Sequence, residues 1–281
     1  MSVGVGIVAK VSDITPFDPP IKVVGGMPLP GDIGHGILGK ISLAIYWYLV
    51  LTLLIVVSSL PAILLLLLLQ PVPQNFFLIP LAMIPIGPAI SAGLYAVRAR
   101  YRHEDRGPWR SFVRGYRMNF VAVIKLWIPF LVVLGIIAFT LTFGGFIGLN
   151  TPYRIGLSIL AALLAAWAGH AIAIATFFNF RSVDVARLAT YYLFRKFSAT
   201  FGVLALLVIM GAAGWYISGA IPGVISGLVI WFLFRNERPV LIDVYQRFTD
   251  SESQDAFANT ESAAVSVAEE THSISPGKVL R

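Results

Sequence analysis

The chain has 281 residues, of which 57% are hydrophobic and only 12% are charged. A soluble globular domain carries about 25% charged residues, so this composition requires lipid around much of the surface. The formal charge of +7 fits the basic cytoplasmic loops of a membrane protein and argues against nucleic acid as a partner. Because the chain has no cysteine, disulfides and Cys-based metal sites are excluded.

The chain begins with a Gly- and Pro-rich segment over residues 1-39, which lacks the apolar core of a cleaved export signal. A transmembrane helical domain is predicted over residues 40-249. Its first span covers Ile41–Leu69, which is longer than one crossing needs, so we expect a tilt or a kink at Pro61.

The second predicted span, Phe76–Val97, contains two prolines near its middle. Pro85 and Pro88 leave two alternatives, a bent helix that crosses or a re-entrant segment. The remaining predicted spans are Phe120–Ile147, Ile155–Phe178, Thr200–Ser218 and Ile221–Phe234. The sequence therefore predicts an all-α, polytopic transmembrane bundle of about six spans.

The distribution of Lys and Arg predicts the orientation of these spans. Seven arginines lie between residues 98 and 117, and a second basic stretch surrounds residues 181–196. Only Arg154 falls among the connections on the opposite side. Since short cytoplasmic loops collect Lys and Arg, both basic loops and both termini are predicted to be cytoplasmic.

The first basic loop carries an amphipathic helical pattern after Pro108. Its candidate interface residues are Trp109, Arg110, Phe112, Arg114, Tyr116 and Arg117. An interfacial helix of this kind directs aromatic side chains toward the acyl boundary and arginines toward anionic headgroups of the lipid bilayer. Docking of a cytoplasmic partner is the alternative, and the sequence leaves both open.

The ionisable residue His170 falls well inside a predicted span, next to Gly169 and near Trp167. An ionisable group is costly in lipid, so we expect either a neutral histidine bonded to a neighbouring helix or a substrate or proton site. The sequence shows no phosphate-binding loop, HExxH pair or GxSxG elbow. We therefore predict no enzyme, no catalytic residues, no cofactor and no metal site.

The last segment, residues 250-281, is rich in Ser, Ala, Thr and acidic residues. It has no apolar periodicity strong enough to bury, which predicts a disordered tail. The alternative is an acidic segment that folds on contact with a partner.

Residues Pro85 to Phe120 resemble the YesL family of bacterial integral membrane proteins. Gly87, Pro88 and Ala89 match the start of a helix in that family. The aromatic and arginine segment that follows matches at Phe112, Arg114, Tyr116, Arg117, Asn119 and Phe120. The likeness extends over roughly Ile41 to Phe248, while the two ends of the chain depart from the family and inherit nothing from it.

The resemblance implies a non-catalytic accessory or regulatory component of carbohydrate uptake, with ABC-type sugar-importer subunits as partners. One alternative is a permease subunit or a transporter in its own right. Gly115 with Ile128 and Pro129 echoes the end of the loop by which such permeases contact their ATPase, but Trp109, Arg110 and Ser111 replace its acidic start. A structural or lipid-binding membrane protein is a further alternative.

Overall fold

The computed structural model describes residues 16–17, 37–69, 72, 75–102 and 107–248. This part of the chain is mostly helical and contains no strand, which confirms the all-α prediction. The helices are α1 (Ile37–Leu68), α2 (Leu78–Ala82), α3 (Ile86–Tyr101), α4 (Pro108–Phe143), α5 (Thr151–Phe177), α6 (Ser182–Arg195), α7 (Phe197–Ala212), α8 (Ile221–Val224) and α9 (residues 226–248). A 3₁₀ turn follows α4 over Gly144–Ile147, and a π-helical turn extends α7 over Ala213–Ile217.

Within the described residues, five helical segments are long and apolar enough to cross a membrane. They are Ile41–Leu68, Leu78–Tyr101, Pro108–Phe146, Thr151–Phe177 and Phe197–Ile217. The first five predicted spans are thereby confirmed as candidate spans, and the chain is a polytopic membrane protein. The sixth is not among them, because the structure divides it between α8 and α9 and because α9 carries several charged residues, including Arg235, Glu237 and Arg238.

The second span is interrupted at Met83–Pro85, between α2 and α3, yet its 24 residues are long enough to cross. Pro88 lies in the first turn of α3, where the missing N–H of proline costs little. The indole N–H of Trp127 on α4 donates to the Met83 carbonyl at 3.0 Å. A neighbouring helix thus stabilises the interrupted backbone, which is how broken helices are tolerated within membranes.

Helix α3 lies at the centre of the packing and contacts α1, α4 and α5. Small residues allow the close approach. A Cβ atom at Gly87 would lie 2.6 Å from Cγ of Trp127, and one at Gly115 of α4 would lie 2.7 Å from Cβ of Tyr95. Such approaches supply the van der Waals contact that drives helix association in lipid.

The interfacial helix predicted in the first basic loop is not a separate element of the structure. Its amphipathic segment is helical, but it is continuous with the third span in the 36-residue helix α4. At 1.5 Å per residue, α4 is about 54 Å long, against a hydrocarbon core of about 30 Å. Helix α4, which contains Pro129, is therefore longer than one crossing requires.

Several contacts place the start of α1 and the last residues of α3 and α5 at one end of the bundle, which we call the basic end. Phe234 of α9 packs against Tyr101 and Phe177, the last residues of α3 and α5. Near the start of α1, Trp47 lies beneath the Arg100 guanidinium of α3. Phe17, which is 2% exposed, packs against Phe177. Helix α9 therefore returns to the end at which α3 and α5 finish.

The chain forms two compact units, one over Phe17–Val240 and the other over Met1–Pro16 with Leu241–Arg281. Of the second unit the structure describes residue 16 and residues 241–248, where Arg247 and Asp243 form an ion pair at 2.8 Å. Most of the predicted segment 1-39 and the whole predicted tail 250-281 lie outside the described residues.

Candidate functional site

His170 is fully buried within the first unit, on the second half of α5. Its two neighbours along α5, Gly169 and Ala171, are small, and this lets another helix approach. At Gly169, a Cβ atom would lie 2.9 Å from Cγ1 of Val203 on α7. The imidazole is therefore enclosed by α5, α7 and α9 rather than by lipid.

The imidazole contacts a carboxylate and a hydroxyl on two different helices. His170 Nδ1 lies 2.7 Å from Oε2 of Glu237 on α9, and both side chains are 0% exposed. On the other side of the ring, Nε2 lies 3.1 Å from Oγ1 of Thr200 on α7. His170 thereby joins α5 to both α7 and α9.

Asn236 and Thr200 complete this group. The Asn236 amide donates to the Ala199 carbonyl at 2.7 Å and to Glu237 Oε1 at 3.2 Å. Asn236 also touches Gly202 so closely that no side chain would fit there. We call His170, Thr200, Asn236 and Glu237 the polar cluster.

Thr200 joins His170 to the end of α6. Its hydroxyl donates to the Leu193 carbonyl at 2.9 Å, and the same oxygen lies 3.1 Å from His170 Nε2. The 2.7 Å contact between His170 Nδ1 and Glu237 Oε2 is a hydrogen bond between an imidazole and a carboxyl group.

Two side chains, Thr200 and Trp167, form hydrogen bonds to α6, the helix of the second basic loop. The Leu193 carbonyl that accepts from Thr200 belongs to the last turn of α6, where carbonyls lack helical partners. One turn before His170, Trp167 Nε1 donates to Thr190 Oγ1 at 3.1 Å and to the Ala186 carbonyl at 3.3 Å. Helix α6 is therefore held against α5 and α7 by polar contacts beside the cluster.

The structure places the six predicted interface residues on the first turns of α4, apart from His170. Trp109 is 62% exposed and Phe112 is 4% exposed. Tyr116 is half-buried and stacks on Phe112, so only part of the aromatic set faces outward. Arg110, Arg114 and Arg117 are exposed and form the α4 basic face.

A second exposed basic face lies on α6, which contacts α4. Val185, Ala189, Tyr192 and Leu193 are buried, whereas Arg187 and Arg195 are exposed. Arg195 lies over the ring of Tyr191 at 5.6 Å. The two arginines define the α6 basic face.

The sequence pointed to His170 but not to Glu237 and Thr200, which bind it, or to Asn236, which binds Glu237. Glu237 lies between Asn236 and Arg238, in a stretch that reads as the polar exit of the last span. The available signal was the imidazole itself, since a buried histidine requires a partner. Over the described residues, no group of three or more His, Cys, Asp or Glu is arranged to hold a metal ion.

Comparison with known proteins gives one similarity. No curated protein and no solved structure matches the chain. The polar cluster on α5, α7 and α9 lies outside the region that does match a family. Residues 41–141, from α1 into α4, match the profile of a family described as a protein of unknown function, DUF624.

Proposed function

We propose that this membrane protein is a non-catalytic accessory or regulatory component of bacterial carbohydrate uptake of the ABC type. It docks on a partner at the basic end, through the α4 and α6 basic faces. The observation that carries the proposal is the length of α4, whose first turns present three exposed arginines on a helix longer than one crossing requires. The choice of carbohydrate uptake rests on the resemblance to the YesL family.

The chemistry of these faces suits a partner with exposed carboxylates. Arg110, Arg114 and Arg117 are spaced four and three residues apart, so they project from one side of the helix. Guanidinium groups bind carboxylates in a bidentate manner, which gives geometric specificity. Anionic lipid headgroups offer similar charge and compete for the same arginines.

Affinity purification in a mild detergent tests the docking proposal. We expect importer subunits to be recovered with the wild-type protein and to be lost when Arg110, Arg114 and Arg117 are all changed to Gln. The control is Arg154→Gln, an exposed arginine beyond the other end of α4. Repeated recovery of the folded protein with no transporter subunit or ATPase contradicts the proposal, as does equal recovery with the triple variant.

We also propose that the basic end faces the cytoplasm of a bacterial cell, with both termini there. Phe17 and the start of α1 lie at this end, and α9 returns to it. An excess of Lys and Arg is typical of cytoplasmic loops. An introduced Lys10→Cys should resist an impermeant thiol reagent in intact cells and react after lysis; reaction in intact cells contradicts the orientation.

A transporter in its own right is the second candidate, because the polar cluster buries an acid and an imidazole among membrane helices. Such groups often mark the pathways of substrates or protons. Reconstitution of the pure protein in vesicles separates the two candidates. Sugar flux by this protein alone would replace the accessory function with transport, and its absence favours the accessory function.

A further inference from the structure

We infer that the corner between α6 and α7 is a binding site for anionic phospholipid. Exposed aromatic side chains at this corner enter the top of the acyl region, and the arginines of the α6 basic face bind the headgroup phosphates. The inference goes beyond the proposed docking, because it follows from the placement of α6 alone. A lipid at the α6 basic face leaves the α4 basic face, where docking is tested, to the partner.

The first observation is a group of exposed aromatic side chains. Tyr191 and Phe194 lie in the last turns of α6, and Phe197 and Phe201 lie in the first turns of α7. Each is between 41% and 66% exposed. Four large rings exposed side by side are costly in water, but they are typical of the interface between membrane and water. We call these four residues the aromatic corner.

The length of α7 places the aromatic corner at this interface. The candidate span Phe197–Ile217 has 21 residues, or about 32 Å at 1.5 Å per residue, against a hydrocarbon core of about 30 Å. Because it has little length to spare, both of its ends lie near the membrane surfaces. Trp215 and Tyr216 at the far end are also exposed, as expected of aromatic side chains at the opposite surface. The start of α7 therefore lies at the membrane surface on the basic side.

Helix α6 is held at the same level by its attachment to the bundle. Lys196 alone separates α6 from α7. Leu193 in the last turn of α6 is buried with Ala166 of α5 and Val203 of α7, and both of these lie within candidate spans. Since this face of α6 packs on membrane helices, the opposite face, with Tyr191 and Phe194, is directed toward lipid.

The α6 basic face supplies the charge that a headgroup needs. Arg187 lies one turn before Tyr191, and Arg195 lies over the Tyr191 ring at 5.6 Å. Guanidinium groups bind phosphate in a bidentate manner, and basic residues beside aromatic ones are typical of a helix at an anionic membrane surface. The one carboxylate of α6, Asp184, lies in the first turn, away from the aromatic corner. The interfacial helix is therefore α6 in the second basic loop, whereas the sequence predicted one in the first.

Quenching of a fluorescent label by brominated lipid tests the site in reconstituted vesicles. Because the natural chain contains no cysteine, Phe194→Cys can carry a single bimane label. The vesicles consist of phosphatidylcholine, to which phosphatidylglycerol or further phosphatidylcholine is added with bromine on the upper part of the acyl chains. Val208→Cys, exposed near the middle of α7 and far along it from the α6 basic face, carries the control label.

We expect Phe194→Cys to be quenched by both lipids, with a preference for phosphatidylglycerol of at least about fivefold, the contribution of one arginine near an anionic surface. Val208→Cys should show no preference. Changing both Arg187 and Arg195 to Gln should abolish the preference at Phe194→Cys, while Arg154→Gln should leave it in place. High salt should weaken it without any substitution, because salt screens exposed charges.

Three results would overturn the inference. Absence of quenching at Phe194→Cys by either lipid would place the aromatic corner in water, as expected of a surface that binds a protein. Equal quenching by the two lipids would leave an apolar contact without a headgroup site. The last is a preference that persists at high salt and in the double variant of Arg187 and Arg195, with folding checked by size-exclusion chromatography. None of these measurements requires a partner, so a failure here is distinguishable from a failure of docking.

Discussion

Two regions of the bundle are held together by different physical means. Around α3, close contacts between small residues and large apolar side chains dominate, as where Gly87 meets Trp127. Among α5, α7 and α9, buried hydrogen-bonding groups join the helices, as where His170 meets Glu237. Steric packing depends on the shapes of the side chains, whereas a buried polar network depends on every donor meeting an acceptor. The second region is therefore the one in which the loss of one side chain leaves a buried polar group unsatisfied.

The largest effect expected in this comparison comes from Glu237→Ala. Removing one partner of a buried pair leaves the other unsatisfied, so we expect a loss of about 3–5 kcal/mol in the free energy of unfolding. Unfolding titrations in mixed detergent micelles measure it. Glu237→Gln keeps the hydrogen bonds and should lose far less; equal losses would show that the ionisable oxygen itself is essential to the fold.

Gly87→Ala tests the packed region. The added Cβ would meet the Trp127 ring at 2.6 Å, so either helix must shift, at a cost of about 1–3 kcal/mol in unfolding free energy. Gly156→Ala is the matched control, because nothing lies within 4 Å of a Cβ there. If both substitutions have the same effect in the same titration, close packing does not hold α3 to α4.

Trp127→Phe separates the packing role of the Trp127 side chain from its role as a hydrogen-bond donor. The phenyl ring retains most of the apolar contact but cannot donate to the Met83 carbonyl, so a loss of about 1 kcal/mol is expected. Thermal stability in detergent, followed by size-exclusion chromatography, reports the loss. Trp215→Phe, at a position 85% exposed, should leave stability unchanged. An equally stable Trp127→Phe would mean that the interrupted second span needs no donor.

The smallest effect is expected at the turn between α4 and α5. Gly148 has φ +69°, a conformation that costs other residues about 1 kcal/mol, so Gly148→Ala should be slightly less stable in the same thermal assay. Gly145→Ala, in the same turn but without positive φ, is its control. Greater stability of Gly148→Ala would argue against this turn conformation.

How much of the structure could be predicted from the sequence differs between the region around α3 and the region of α5, α7 and α9. Apolar run length was enough to locate five spans, because each crossing needs about 20 apolar residues whatever its neighbours are. Pro85 and Pro88 predicted a bend in the second span, and the structure interrupts the helix at residues 83–85. The donor from Trp127 was not predictable, because that contact joins residues 44 apart. Periodicity also did not show that the amphipathic segment of the first basic loop is part of α4. Amphipathic spacing does not reveal whether a helix continues without interruption into the next span.

What the sequence by itself determined was a helical membrane protein with basic connections and an ionisable side chain, His170, well within a span. What only the tertiary structure decided was the partner of that side chain. Glu237 and Thr200 lie 67 and 30 residues away along the chain, on helices whose approach depends on Gly169 and Gly202. Composition and periodicity are local properties, whereas a buried hydrogen bond depends on which helices meet and at what depth.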